Sequence, residues 1–152
     1  MHSKGQATKP RVLFLCTHNS ARSQMAEALL KKHAGHRFEV YSAGLEPTAV
    51  HPYTKQVMGE IGIDMSGHQA KGLTQWLGKV HFGYLITVCA KAEEQCPIFP
   101  GMGQRLSWPF EDPVAATGSA EKKLAKFREV RGQIDQRIQS WLEELSEHGS
   151  ST

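Results

Sequence analysis

The sequence has no apolar run close to the roughly 18 residues that a membrane-spanning helix needs. Its longest candidate, Val12 to Cys16, is only a strand's length, so no membrane span is expected. Charge of one sign is also missing. The 18 Lys and Arg against 15 Asp and Glu leave a net charge of +3 over 152 residues, too little to imply a nucleic-acid partner. A small anionic substrate stays open, because there the convergence of a few donors matters more than the total charge. Cysteine is scarce as well. The three thiols, Cys16, Cys89 and Cys96, cannot all pair internally, and a reducing compartment keeps them as thiols at rest. That raises catalysis or redox exchange as a question. Zinc has little to hold it, since the 8 His are scattered and no C-x2-C or H-x3-H pair exists; no metal site is expected on these grounds. The basic opening, Met1 to Lys9, lacks the apolar stretch of a signal peptide. Residues 1–9 therefore read as a flexible N-terminus of a cytoplasmic protein, and 148–152 as a flexible C-terminus.

What is present is an ordinary globular composition, 39% hydrophobic and 22% charged, with no internal repeat or low-complexity linker to divide residues 10–147. One domain is expected. Val12-Leu13-Phe14-Leu15-Cys16 suits a strand buried on both faces. After a polar loop, Ser23 reads as an N-cap for a helix through Gln24-Met25-Ala26-Glu27-Ala28-Leu29-Leu30-Lys31-Lys32. Phe38 to Ala43 alternates and ends at Gly44 as a second strand, and Pro52 starts a helix whose apolar side is Val57, Met58 and Ile61 before Gly62 stops it. Leu73 to Leu77 suggests a short helix, Gly83 to Cys89 a third strand and Gln104 to Trp108 a fourth. Leu124, Phe127, Val130, Ile134, Ile138, Trp141, Leu142 and Leu145 recur at helical spacing from a Ser119 cap, one long amphipathic helix. Strands alternating with helices predict an α/β fold: three layers, with a four-stranded, mostly parallel sheet flanked by helices.

The chemistry concentrates directly after the first strand, in Cys16-Thr17-His18-Asn19-Ser20-Ala21-Arg22-Ser23. Cys and Arg six apart is a common coincidence. Between a strand's carboxyl end and a helix N-terminus, however, such a loop gathers unpaired N–H groups around one point, and the helix dipole adds positive potential. A tetrahedral oxyanion fits there. Arg22 offers a planar fork to two of its oxygens. The same field is expected to lower the thiol pKa of Cys16 and make it a nucleophile. Ser23 is placed to donate to that sulfur, and Asn19 to tie the loop to itself.

With these residues in view, the chain resembles the low-molecular-weight protein tyrosine phosphatase family and, within it, the thioredoxin-coupled arsenate reductases. The resembling pieces are C-T-H-N-S-A-R-S-Q-M-A-E-A from Cys16 to Ala28, Y-S-A-G from Tyr41, G-I-D from Gly62, T-V-C-A-K-A-E-E-Q-C-P from Thr87 and W-P-F-E-D-P from Trp108. The resemblance implies a low-molecular-weight phosphatase-like fold and oxyanion binding by Thr17, His18, Asn19, Ser20, Ala21, Arg22 and Ser23. It implies Asp112, stiffened by Pro113, as the group that handles a proton at the substrate oxygen.

The cysteine pair carries the reductase branch of the resemblance. It implies that Cys16 attacks arsenate, Cys89 then attacks the Cys16 sulfur and expels arsenite, and Cys96 resolves the result into a Cys89–Cys96 disulfide. If residues 90–95 form a helix, the two cysteines lie about 10.5 Å apart along its axis, whereas a disulfide needs Cα atoms within about 7 Å. The segment must therefore unwind, and Pro97, Pro100, Gly101 and Gly103 follow it. Electrons from thioredoxin, or alternatively glutaredoxin, are implied, with phosphate and sulfate as competing anions and a monomer as the working unit. No cofactor is obligatory; the resemblance admits a potassium ion near Asn19, Glu27, Ser42 and Asp64, positions that a hydrogen-bond network bracing the loop would also explain. His18 and Ala21 stand where relatives carry Gly and Cys, and Val114 and Ala115 replace the aromatic residues with which phosphatases grip a tyrosyl ring. The competing expectations are a phosphomonoester phosphatase acting through a Cys16 phosphocysteine, and an idle anion-binding or redox-sensing module.

Overall fold

The computed structural model describes residues 9–76, 78–96 and 103–147, together with the backbone of 148–150. Four strands, β1 (Arg11–Cys16), β2 (Glu39–Gly44), β3 (Tyr84–Thr87) and β4 (Gln104–Ser107), form one sheet in the order β2-β1-β3-β4. Every pairing is parallel, with Leu13 opposite both Tyr41 and Leu85, and Leu85 opposite Arg105. The helices are α1 (Arg22–Ala34), α2 (Pro52–Gly59), α3 (Ala90–Gln95) and α4 (Ala120–Ser150).

Val12 to Leu15 are wholly buried, as an apolar central strand covered on both faces requires. α1 packs on β1 and β2 and also on α4. The inward row of α4, with Phe127, Val130, Ile134 and Ile138 at 1% exposure or less, follows the spacing seen in the sequence. Each such side chain contributes about 1.5–3 kcal/mol on burial. Trp141 extends the row into an aromatic cluster, 5.5 Å from Phe38 and 5.6 Å from Trp108, while Trp108 reaches Phe14 at 6.0 Å between ring centroids.

Several local expectations shift. Ser23 is not a cap: α1 begins at Arg22 with Ala21 as its N-cap and no side-chain capping bond, because the Ser23 hydroxyl is turned to other partners. β3 ends at Thr87, so Val88 and Cys89 lie past it, and Cys89 caps α3 instead. Of the expected 73–77 helix the described residues form a 3-10 turn, Leu73–Gln75, and residue 77 lies outside them. Gly62 stands at φ +84° after α2 ends, a left-handed position suited to glycine. The backbone of α4 continues past 147 to Ser150. The expected flexibility of residues 1–8 and of 151–152, and the roles given to Pro97, Pro100 and Gly101, fall outside the described residues.

From β1 the chain crosses to β2 on one side and later reaches β3 on the other. The strand order therefore reverses at β1, and the crevice beyond the carboxyl ends of β1 and β3 is where such sheets take ligands.

Candidate active site

Cys16 ends β1 in that crevice, 2% exposed. The loop after it is shaped from outside. Its carbonyls at Cys16, Thr17, His18 and Ser20 accept the backbone N–H groups of Leu45, Glu46, Thr48 and His51 at 2.7 to 3.1 Å. Thr54 Oγ1 adds a second bond to the Ser20 carbonyl at 2.9 Å. With the carbonyls committed to the 45–54 segment, the N–H groups face the other way, and those of Asn19 and Ser23 donate to the Cys16 sulfur. Gly44 lets the two segments approach: a Cβ there would come within 2.8 Å of Asn19 N and Thr17 O.

Asn19 holds the turn at φ 54° and is fully buried. Its Nδ2 donates to Ser23 Oγ at 2.7 Å and to Ser42 Oγ at 3.0 Å. Its Oδ1 accepts from Gln24 Nε2 at 2.9 Å and from the Lys71 N–H at 2.8 Å. Every polar atom of the amide is thereby used, which stabilises a backbone conformation unfavourable for most side chains. Because Ser23 Oγ accepts from Asn19, its own proton is left for Cys16 Sγ, 2.8 Å away.

The electrostatics are less simple than the expected depressed thiol. Burial pushes the Cys16 thiol up, and this outweighs the lowering by the Ser23 hydroxyl, the Ser23 N–H, the Arg22 guanidinium and the Asn19 N–H. The donors are where they were expected; the sulfur they surround is dry, and desolvation disfavours the thiolate.

Arg22 lies with 11% of its side chain exposed, its Nη1 donating to the Phe110 carbonyl at 3.1 Å and its Nη2 3.7 Å from Asp112 Oδ2. Asp112 Oδ1 accepts the Val114 N–H at 3.0 Å. Thr17, His18, Arg22, Cys89, Lys91 and Asp112 line a cavity of 570 Å³ over the loop. His18 is exposed, Ser20 partly so, and Ala21 buried.

Cys89 is 3% exposed. β1 and β3 are neighbours in register, and the Val88 N–H reaches the Leu15 carbonyl at 2.9 Å, so Cys89 emerges at the same end of the sheet as Cys16. Thr17 Oγ1 lies 3.5 Å from Cys89 Sγ, and the same sulfur accepts the Ala92 N–H at 3.4 Å. Cys96 sits at the other end of α3, where burial pushes its thiol up, Arg105 opposes that shift and Glu93 adds to it. All three cysteines are buried.

Three of the four residues considered for potassium, Asn19, Glu27 and Ser42, form a brace. Ser42 Oγ donates to Glu27 Oε1 at 2.5 Å, Lys31 Nζ meets Glu27 Oε2 at 2.7 Å, and Lys71 Nζ lies 3.8 Å from Glu27 Oε1. Asp64 accepts the Ser66 N–H instead. Two ammonium groups already neutralise the buried carboxylate, so these residues do not fit a further cation. Among the described residues no group of three or more His, Cys, Asp or Glu is arranged to hold a metal.

Sequence reasoning missed Gln24, Lys71, His51 and Phe110. They serve the loop through contacts 5 to 88 residues apart in sequence. Gln24 and Phe110 sat inside quoted motifs without a role assigned to them, whereas His51 and Lys71 lay outside every motif.

The profile of the family described as "Low molecular weight phosphotyrosine protein phosphatase" matches residues 11–151. An arsenate reductase of Halalkalibacterium halodurans is 42% identical over 135 residues, covering 89% of this chain and 96% of that protein. A structure described as an arsenate reductase in the phosphate binding state aligns with a TM-score of 0.72 at 30% identity, covering 89% of this chain and 98% of that one. A thioredoxin-dependent arsenate reductase of Corynebacterium glutamicum aligns with a TM-score of 0.68 at 29% identity, covering 95% of this chain and 66% of that one.

Proposed function

Because the chain belongs to the low-molecular-weight phosphotyrosine protein phosphatase family, we propose that its oxyanion site reduces arsenate to arsenite through Cys16, Cys89 and Cys96, with thioredoxin restoring the thiols. The observation that carries this reading is the placement of Cys89. Its sulfur touches the anion loop through Thr17 and at the same time caps a helix whose other end is Cys96. A phosphatase needs neither contact. The arsenate reductase relatives support the same reaction, and the thioredoxin-dependent neighbour supports the electron donor.

Arsenate is held by the loop N–H groups and by Arg22, which exchanges the Phe110 carbonyl for two substrate oxygens. The Cys16 sulfur attacks arsenic, an S–As bond forms, and one oxygen leaves as water carrying the thiol proton, with Asp112 beside it to steady the transfer. The Cys89 thiolate then attacks the Cys16 sulfur. The S–S bond forms as the S–As bond breaks, its electron pair stays on arsenic, and arsenite departs. Cys96 next displaces Cys16 from Cys89, and a thioredoxin dithiol reduces the Cys89–Cys96 disulfide, supplying the two electrons that arsenic received. Phosphate fits the same cradle but has no accessible lower oxidation state, so it competes. We place this chemistry in a monomer in the cytoplasm, where thiols stay reduced.

The test is product analysis on Cys→Ser variants. Cys16→Ser stops arsenate reduction and any phosphomonoester hydrolysis together. Cys89→Ser retains hydrolysis and releases no arsenite. Cys96→Ser releases about one arsenite per chain and accumulates Cys16–Cys89. Sustained thioredoxin-driven turnover by Cys96→Ser, or full reduction by Cys89→Ser, overturns the relay in favour of the phosphatase reading.

A further inference from the structure

α3 is only six residues long, Ala90–Gln95, far below the length at which a helix is stable by itself. Something else keeps it wound. At its N-terminal end the hold is weak, since the Ala92 N–H bonds to the Cys89 sulfur at 3.4 Å and sulfur is a poor acceptor. At its C-terminal end the hold is a guanidinium. Arg105, on β4, donates from Nη2 to the Glu93 carbonyl at 2.6 Å and from Nη1 to the Cys96 carbonyl at 3.3 Å. Its Nε approaches Glu93 Oε1 at 3.4 Å, and that oxygen accepts the buried Thr87 hydroxyl at 2.7 Å. One side chain thus takes two carbonyls at the helix's negative end and is oriented by a carboxylate that β3 holds in turn.

Resting on the relay proposed above, we propose that Arg105 is the positioning residue of the second thiol exchange. Its fork holds α3 wound and Cys96 away from Cys89, and letting go of the Glu93 and Cys96 carbonyls sets the rate at which the Cys89–Cys96 disulfide forms. In that step the Cys96 thiolate attacks the Cys89 sulfur of Cys16–Cys89, the new S–S bond forms as the old one breaks, and Cys16 leaves as a thiolate; no electrons are gained or lost overall. The first exchange prepares the second. Once Cys89 is bound to Cys16, its sulfur no longer caps α3 as a thiol, and the Arg105 grip on the Glu93 and Cys96 carbonyls remains. The guanidinium also favours the charged form of the thiol it holds back.

The experiment uses the full chain with Arg105→Lys, which keeps the charge but cannot span two carbonyls, and Arg105→Met, which removes both. Acid-quenched time courses after mixing with arsenate, read by differential alkylation and mass mapping, follow the two disulfides, with the arsenite burst as a reference that does not pass through Cys96. Arg105→Lys is expected to shorten the lifetime of Cys16–Cys89 by about threefold or more, with the burst unchanged. Arg105→Met also removes the charge that opposes the burial-raised thiol pKa of Cys96, so its gain appears only as the pH is made more alkaline than Arg105→Lys requires. A Cys16–Cys89 lifetime in Arg105→Lys equal to or longer than in the parent overturns the proposal. Hydrogen exchange in the reduced protein gives an independent reading: the Glu93 and Cys96 amides, which donate to Cys89 O and Ala92 O, exchange faster in both variants. Unchanged exchange also overturns it. If the parent never forms Cys89–Cys96, the relay itself fails, and the exchange measurement still decides whether Arg105 holds α3.

Discussion

The anion loop, Cys16 to Ser23, and the cysteine helix, Cys89 to Cys96, lie side by side at the carboxyl end of the sheet, yet they are held in opposite ways. The loop is fixed by backbone: four of its carbonyls bond to main-chain N–H groups of the 45–51 segment, and Asn19 uses its whole amide to lock the one left-handed residue. The helix is held by side chains at its ends, a sulfur at one and Arg105 at the other. A main-chain lattice moves only when a whole segment moves, whereas a side-chain grip opens by a rotamer change. That difference suits the proposed relay, in which one part keeps its shape for a tetrahedral anion and the other comes apart in every cycle.

Breaking the rigid partner produces the largest effect. Arg22→Lys keeps a cation over the loop but loses the fork, and arsenate turnover should fall by about a hundredfold or more in kcat/KM. A rate within threefold of the parent in steady-state assays with thioredoxin would remove Arg22 from anion binding. Asn19→Ala comes next. It strands buried donors and acceptors at Ser23, Ser42, Gln24 and Lys71 and leaves an alanine in a left-handed turn, so unfolding free energy should drop by about 2–4 kcal/mol. Urea titration measures this, and a loss under 1 kcal/mol would mean that the 45–51 segment holds the loop unaided.

The smallest effect sharpens the comparison through pH. Burial raises the thiol pKa of both Cys16 and Cys96, so the folded state disfavours each thiolate relative to the unfolded chain. The stability that goes with keeping these thiols neutral is complete below the ordinary thiol range near about 8.5 and is lost as the pH rises through it. Cys16 lies in the locked loop and Cys96 beside a charged grip, so Cys16→Ser should flatten the alkaline fall in the urea midpoint more than Cys96→Ser does. Equal flattening would show that the two thiols are buried to the same effect.

The parts of this apparatus legible in the sequence are those whose chemistry is local. Val12 to Cys16 announces a doubly covered strand, the spacing of Cys16 and Arg22 across a strand-to-helix turn announces a cradle, and the apolar row of α4 announces its own buried face. Ser23 was misread because a hydroxyl before a helical run looks like a cap. Its bond to Cys16 was legible from its place beside the loop, whereas the bond it accepts from Asn19 depends on a loop curvature that no pattern displays. The donors around Cys16 were legible, whereas the burial that overrides them is a property of the packed whole. Lys71, Phe110 and Arg105 serve the site from strands and turns whose contribution exists only after the chain has closed on itself.

The partnership of the loop carbonyls with residues 45–51 also bears on inheritance. Because the curve of the cradle is moulded by main-chain bonds from outside, it places few demands on the identities of its outward side chains: the exposed His18 and the partly exposed Ser20 can change without altering where the N–H groups point. Variation is cheap at those places and expensive at Gly44, where a single added carbon meets the loop's backbone. Substitution is therefore expected to be tolerated at the rim of the site, where neighbour preference can change while the grip on a tetrahedral anion stays intact.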